Sequence, residues 1–305
     1  MSVAVLCPGQ GMQHDAMLDA AGRSSEGRGV LEAIEAALGE APSAWLAPAR
    51  RFSNAVAQPL LAASSLAAWA GLRSRMPAPA FVAGYSAGEL VAHGIAGALD
   101  AVSVVRLACM RAASMDAAMG ARVGGLVAMR GLRRAAIDAL CARHDAHVAI
   151  VNGRDAFIVG GLAERLATLA ADAQAAGAQA TVLPVDVPSH TPLLAAAVAP
   201  WTAALEAAPF GVSTTPVIAG VDASRVVDRA RALATLAVQV AQTIEWSRCM
   251  DALVERGCRV FLEVGPGQSL SRLMRERHAS VEARGIDEFG SLEAAARWAG
   301  RPRSA

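Results

Sequence analysis

Apolar positions along the chain change period several times, and those changes divide it into elements. Residues 3–7 form an unbroken apolar run that ends in Pro8-Gly9-Gln10-Gly11. This is the pattern of a buried strand stopping in a tight, glycine-permitted loop that leaves backbone N–H groups in the open. Across 30–38 and 59–72 the apolar residues recur at helical spacing with Ala-rich faces, and 80–83, just after Pro79, reads as a second buried strand. That strand runs straight into Gly84-Tyr85-Ser86-Ala87-Gly88. Residues 89–98 and 101–119 are again helical, so the first part of the chain alternates strand and helix as an α/β layered fold does.

The pattern then changes. Residues 125–129 read as strand, 133–143 as helix, 147–151 and 156–159 as strands, 163–175 as helix and 181–185 as strand. This βαββαβ order is the ferredoxin-like one, a unit able to close its own small core. We therefore expect a small domain over 124–189 inserted in a large α/β domain made of 1–123 and 190–305. Beyond the insertion come a strand-like stretch at 215–220, helices at about 229–241 and 246–256, a strand at 260–264 and the turn Gly265-Pro266-Gly267. Residues 284–305 look like a short extension with a weakly amphipathic helix near 292–298.

With 54% apolar and 18% charged residues, 305 residues can bury a sizeable core, which fits a soluble globular protein. The charges nearly balance, 28 basic against 27 acidic, so nucleic acid is not an expected partner. Every basic residue is Arg, which excludes Schiff-base chemistry and a P-loop lysine. Cys7, Cys109, Cys141, Cys249 and Cys258 are scattered and never spaced Cys-x-x-Cys, so neither a disulfide framework nor a zinc site is suggested. The opening MSVAVLCPGQG lacks the basic region and apolar length of a signal peptide, and Pro or charge interrupts each later apolar run before about 20 residues. A cytoplasmic protein with no membrane partner, metal or cofactor is expected.

Gly84-x-Ser86-x-Gly88 between an apolar strand and a helix is the pattern of a nucleophile elbow, in which small flanking residues let the chain turn sharply and present the hydroxyl. Ser86 then stands at a helix N-terminus, where the N–H of Ala87 and the helix dipole favour an oxyanion. A serine nucleophile needs a base. Of the six histidines, His190 is the best placed, following a strand and a Pro that sets the turn. His144 and His147 fall inside the small domain, His14 and His278 in polar surroundings, and His93 on the helix after the elbow. Taken alone, Arg111 is what a solvated helix charge looks like.

Several motifs taken together carry a resemblance. Pro8-Gly9-Gln10-Gly11, Gln58-Pro59, Gly84-Tyr85-Ser86-Ala87-Gly88-Glu89, Arg111, Val187-Pro188-Ser189-His190 and Glu263-Val264-Gly265-Pro266-Gly267 resemble, in order, the malonyl-CoA:acyl-carrier-protein transacylases over about residues 3–275. The resemblance implies an α/β-hydrolase-like large domain with a ferredoxin-like small domain. It also implies ping-pong transfer of malonyl from malonyl-CoA to the phosphopantetheine-type thiol arm of an acyl carrier protein. Ser86 would be acylated and His190 would be its base. The N–H groups of Gln10 and Ala87 would form the oxyanion hole. Arg111, with Gln58 near it, would grip the malonyl carboxylate. In this family a backbone carbonyl orients the histidine, and Glu245 is the position that matches, although Gln is expected there. Tyr85 stands where members of fatty-acid synthesis usually have His. That residue, the Gly88-Glu89-Leu90 continuation and the stretch 287–298 resemble the malonyltransferase subunit of bacterial malonate decarboxylase, whose other subunits would then be partners and whose carrier has a phosphoribosyl-dephospho-CoA arm. This is the reading the resemblance implies first, with a transacylase of fatty-acid or polyketide synthesis as the alternative.

Two other readings compete with transfer. A serine thioesterase or hydrolase would use Ser86, an acid such as Asp251 or Glu263, and His278. A non-catalytic scaffold would keep the fold without the chemistry, and it has no reason to retain Ser86, His190, Arg111 and Gln10 together.

Overall fold

The computed structural model describes residues 2–302. Ten strands form two sheets. Strands β1 (Ser2–Cys7), β2 (Phe81–Gly84), β7 (Val217–Ile218), β8 (Arg225–Val226), β9 (Cys258–Glu263) and β10 (Glu282–Gly285) build the first, in the order β10-β9-β1-β2-β7-β8. All its pairings are parallel except the β7–β8 hairpin at one edge. Central β1 is apolar at every position from Val3 to Cys7, as a strand covered on both faces must be. Because β9, β1 and β2 are parallel neighbours, the loops that leave their carboxyl ends all emerge on one edge of the sheet. That edge is where open α/β sheets build sites.

The second sheet holds β3 (Gly124–Arg130), β4 (His147–Val151), β5 (Ala156–Leu162) and β6 (Gln179–Val182), wholly antiparallel in the order β4-β5-β3-β6. Helices Arg134–His144 and Ala163–Ala175 complete the expected βαββαβ order. Val127, Met129, Ile137, Leu140, Phe157, Val159, Leu166 and Leu169 make a separate apolar cluster between this sheet and its helices. The other face of the sheet packs on the main core through Leu126, Ala149, Ile150 and Ile158. A backbone stitch joins the second sheet to the segment that precedes helix Trp246–Glu255: Val151 N–H donates to Ile244 O at 2.8 Å, and Ile244 N–H donates to Ala149 O at 2.9 Å.

Some expected boundaries move. The strand expected at 181–185 is β6, shifted to Gln179–Val182; Pro184 lacks the N–H that would continue the ladder. The stretch 215–220 pairs only at Val217–Ile218 before turning into β8. The helix expected from Pro59 begins at Asn54, with Pro59 in its second turn. That helix, Asn54–Leu72, is long and apolar enough to cross a membrane, but 78% of its most apolar window is buried inside the protein.

The terminal stretch is more than an appendage. β10 adds an edge strand, and helix Leu292–Gly300 buries Leu292, Ala295, Ala296 and Ala299 in the main core. Asp287 accepts a hydrogen bond from Gly267 N–H at 2.7 Å, fastening the loop after β9. Residues 303–305 of the expected extension lie outside the described residues.

Candidate active site

The loop after β2 is an elbow. Ser86 has φ 56° and ψ −120° and stands immediately before helix Ala87–Ile95. Such a backbone costs a non-glycine residue about 1–3 kcal/mol and persists only where neighbours enforce it. Here they do so by contact. A Cβ on Gly84 would lie 2.1 Å from Gly88 O, and one on Gly88 would lie 2.3 Å from both Cys7 O and Pro8 O. Both glycines are therefore required by close approach of backbone. As the first helical residue, Ala87 has an N–H with no carbonyl one turn earlier to receive it.

The loop after β1 leans on this elbow. Tyr85 N–H donates to Cys7 O at 2.9 Å, and a Cβ on Gly9 would stand 2.9 Å from Tyr85 O and 3.6 Å from Ser86 Cβ. Gln10 lies in the same turn. The loop after β9 closes on it from the other side, since a Cβ on Gly265 would meet Pro8 Cγ at 2.6 Å.

His190 completes the constellation. Its Nε2 lies 2.7 Å from Ser86 Oγ. Its Nδ1 lies 2.6 Å from the main-chain oxygen of Gln239. A carbonyl only accepts, so Nδ1 carries the proton and Nε2 is the acceptor facing the serine hydroxyl. His190 also has a positive φ of 64°, and its N–H donates to Val240 O at 2.9 Å. The end of helix Arg229–Gln239 thus grips the residue twice. Burial, and then the positive charge of Arg111, pushes the imidazole down to about 3, against the pull of the Gln239 carbonyl. The ring is neutral at ordinary pH, as a base must be.

The expectation for Glu245 is corrected here: the carbonyl that orients His190 belongs to Gln239. The Glu245 carbonyl begins helix Trp246–Glu255, accepting from Arg248 N–H at 2.9 Å and Cys249 N–H at 3.1 Å. It is used up in capping that helix.

Arg111 is 2% exposed. It is no solvated charge. One guanidinium nitrogen donates to Gln58 Oε1 at 2.7 Å and the other to Gln239 Oε1 at 3.0 Å. Among the described residues both partners are neutral amides, so the cation is held without being neutralised. Burial pushes it down to about 10, with Glu89 pulling the other way, and it stays charged at neutral pH. Gln239 links the two halves of the site, with its carbonyl on the histidine and its amide on the arginine.

The residues of the hydrolase reading lie elsewhere. Asp251 is bound by Arg277 through two contacts of 2.6 Å and lies 3.1 Å from His278. Glu263 accepts from Leu270 N–H and Ser271 N–H at 3.2 and 2.8 Å, capping helix Ser269–Arg277. Ser86 is paired with His190, and the histidine is oriented by a main-chain carbonyl in place of an acid. The elbow residue Tyr85 is half-buried and packs edge-on against Trp246, ring centroids 5.3 Å apart, and its hydroxyl accepts from Asn152 Nδ2 at 3.2 Å. Asn152 follows β4, so this contact ties the second sheet to the elbow.

A serine on a strained elbow, a neutral histidine within hydrogen-bond distance, and a buried unneutralised arginine suit acyl transfer of a group that ends in a carboxylate. Comparison with known proteins agrees with the first part of that reading. The malonyl CoA-acyl carrier protein transacylase of Salmonella typhimurium is 31% identical over 245 residues, covering 78% of this chain and 79% of that protein. The acyl-carrier-protein-S-malonyltransferase structure from Bartonella henselae superposes with a TM-score of 0.91 at 28% identity, covering 99% of this chain and all of that one. A malonyl-transacylase solved in complex with its type II polyketide-synthase acyl carrier protein superposes with a TM-score of 0.91 at 26% identity, covering 97% and 99% of the two chains. The model of the acyl transferase domain matches residues 5–285, and the chain belongs to that family of acyltransferases.

Proposed function

We propose that the protein transfers a malonyl group from malonyl-CoA to the phosphopantetheine thiol of an acyl carrier protein, through an acyl-serine. The observation that carries this reading is Arg111, buried beside the Ser86–His190 pair and held by the amide oxygens of Gln58 and Gln239. A planar guanidinium can take a carboxylate through two parallel hydrogen bonds, which distinguishes malonyl from acetyl.

His190 Nε2 takes the proton as Ser86 Oγ attacks the thioester carbonyl. The N–H groups of Gln10 and Ala87 receive the oxyanion. Collapse breaks the C–S bond, and His190 returns the proton to the CoA sulfur. The carrier thiol then gives its proton to His190 and attacks the acyl-serine, and collapse releases Ser86 with its proton restored. The test is intact mass after mixing with malonyl-CoA alone. A malonyl adduct that persists until a carrier thiol is added supports transfer; rapid loss to water supports the hydrolase, and no adduct the scaffold.

Because His190 is held near 3, the second-order rate of acylation is expected to change by less than about twofold between pH 8 and 5.5. A histidine at its ordinary value would lose about tenfold over that span. A stopped-flow profile falling through pH 6.5 would contradict this account of the base.

A second reading rests on Tyr85, which stands where His is usual: the malonyltransferase of malonate decarboxylase, acting with its partner subunits. The relatives named above are acyl carrier protein enzymes and favour the first. Transfer to a phosphoribosyl-dephospho-CoA carrier in preference to a phosphopantetheine carrier would reverse that order.

A further inference from the structure

Glu89 follows the elbow on helix Ala87–Ile95 and is completely buried. Its Oε2 accepts from Gly220 N–H at 2.9 Å and from Gln239 Nε2 at 2.5 Å. Its Oε1 is buried with no hydrogen-bond partner among the described residues. A half-satisfied carboxyl in a core is a stability liability that an apolar side chain of similar size would avoid. Local rules broken in this way concentrate where function requires them.

Resting on the malonyl-transfer reading, we propose that Glu89 is a positioning residue whose carboxyl fixes which way the Gln239 amide faces, and thereby aims Arg111. The two ends of an amide have nearly the same shape and opposite hydrogen-bonding sense. A carboxylate only accepts, so the NH2 end of Gln239 must face Glu89 and the oxygen must face Arg111. The flipped amide would set donor against donor at Arg111 and oxygen against oxygen at Glu89. Because the acid stands one amide away from the guanidinium, it orients the cation without neutralising it. Burial, partly offset by these hydrogen bonds, pushes Glu89 up to about 7. An acceptor oxygen faces Gln239 in either protonation state.

The other side of Arg111 obeys the same rule. Gln58 Oε1 faces the guanidinium, Gln58 Nε2 donates to Asn54 Oδ1 at 2.7 Å, and Asn54 Nδ2 donates to Asp116 Oδ1 at 2.8 Å. In both arms a carboxyl is outermost and amide oxygens point inward.

The experiment compares wild type, Glu89→Gln and Glu89→Met as full chains, reading rates of mass-detected acylation by malonyl-CoA and by acetyl-CoA per folded molecule. Glu89→Gln keeps an acceptor toward Gln239 and is expected to retain the malonyl-to-acetyl ratio within about threefold, whereas Glu89→Met removes the acceptor that holds the amide from its far side, leaving Arg111 alone to orient it, and lowers the ratio about tenfold or more. A folded Glu89→Met with the wild-type ratio overturns the proposal, since a purely structural role changes stability and leaves selectivity alone. If Glu89→Met does not fold, Gln239→Met removes the same contact from the other side; an unchanged ratio there also overturns it. Wild-type protein that takes no malonyl group overturns the transfer reading and this proposal with it. Wild-type acylation beside an unchanged Glu89→Met ratio overturns the proposal alone.

Discussion

Ser86→Ala is expected to give a folded protein that gains no malonyl mass from malonyl-CoA and whose carrier malonylation falls by about 10⁴-fold or more. The substitution removes Oγ and leaves the backbone as it was, because Ala meets the same cost at φ 56° that Ser already meets. The lost contact is the 2.7 Å hydrogen bond to His190, whose ring is still held at Nδ1 by Gln239. None of the five cysteines stands ready as a second nucleophile. Burial pushes the thiols of Cys7, Cys109, Cys141, Cys249 and Cys258 up, so none is a thiolate at neutral pH. His190→Ala is expected to lose nearly as much, since an unassisted hydroxyl is a weak nucleophile and the two side chains act as a unit. A stable adduct on Ser86→Ala, located by peptide mapping, would move the nucleophile elsewhere and end the acyl-serine mechanism.

The residues whose chemistry depends on local pattern were legible in the sequence. Ser86 is announced by glycines at positions 84 and 88 between an apolar run and a helix, and those glycines are the ones the backbone contacts require. The βαββαβ order was legible too, since each change of period marks an element, and the sheet order β4-β5-β3-β6 follows from it. Gln239 was not legible as the residue that orients His190. A main-chain carbonyl leaves no trace in side-chain identity, so that identity does not separate Gln239 from Glu245, six positions later. One signal was present: Gln239 interrupts the apolar run Ala237-Val238-Gln239-Val240-Ala241. A polar residue inside a buried helical face needs a partner. Glu89, among Leu90, Val91 and Ala92, gives the same signal. Taken together, these two interruptions would have pointed to the polar link between the elbow and Arg111. β10 was missed for a different reason, since Glu282 and Arg284 alternate with Ala283 and Gly285 and give an edge strand little apolar signal.

Arg111→Ala is expected to lower malonyl transfer by about 10²–10³-fold while leaving acetyl transfer within a few-fold of wild type. A charge-assisted hydrogen bond contributes about 1.5–3 kcal/mol, and a forked pair placed on the malonyl carboxylate supplies two. Each 1.4 kcal/mol is a factor of ten, and some of the gain is offset by desolvating the carboxylate. Arg111→Lys keeps a charge and loses the fork, and it should fall between Ala and wild type because an ammonium cannot hold Gln58, Gln239 and a carboxylate in one plane. The pH dependence has a definite sign. With Arg111 pushed down to about 10, malonyl preference should persist through neutral and mildly alkaline pH and fall as pH rises through about 10. The mutant, having no cation to lose, should show no such fall. Competition between malonyl-CoA and acetyl-CoA, read as the two adduct masses on Ser86, measures the preference directly. A mutant that still prefers malonyl by the wild-type factor would mean that the carboxylate is recognised elsewhere, and that the buried arginine serves only to hold Gln58 and Gln239 in place.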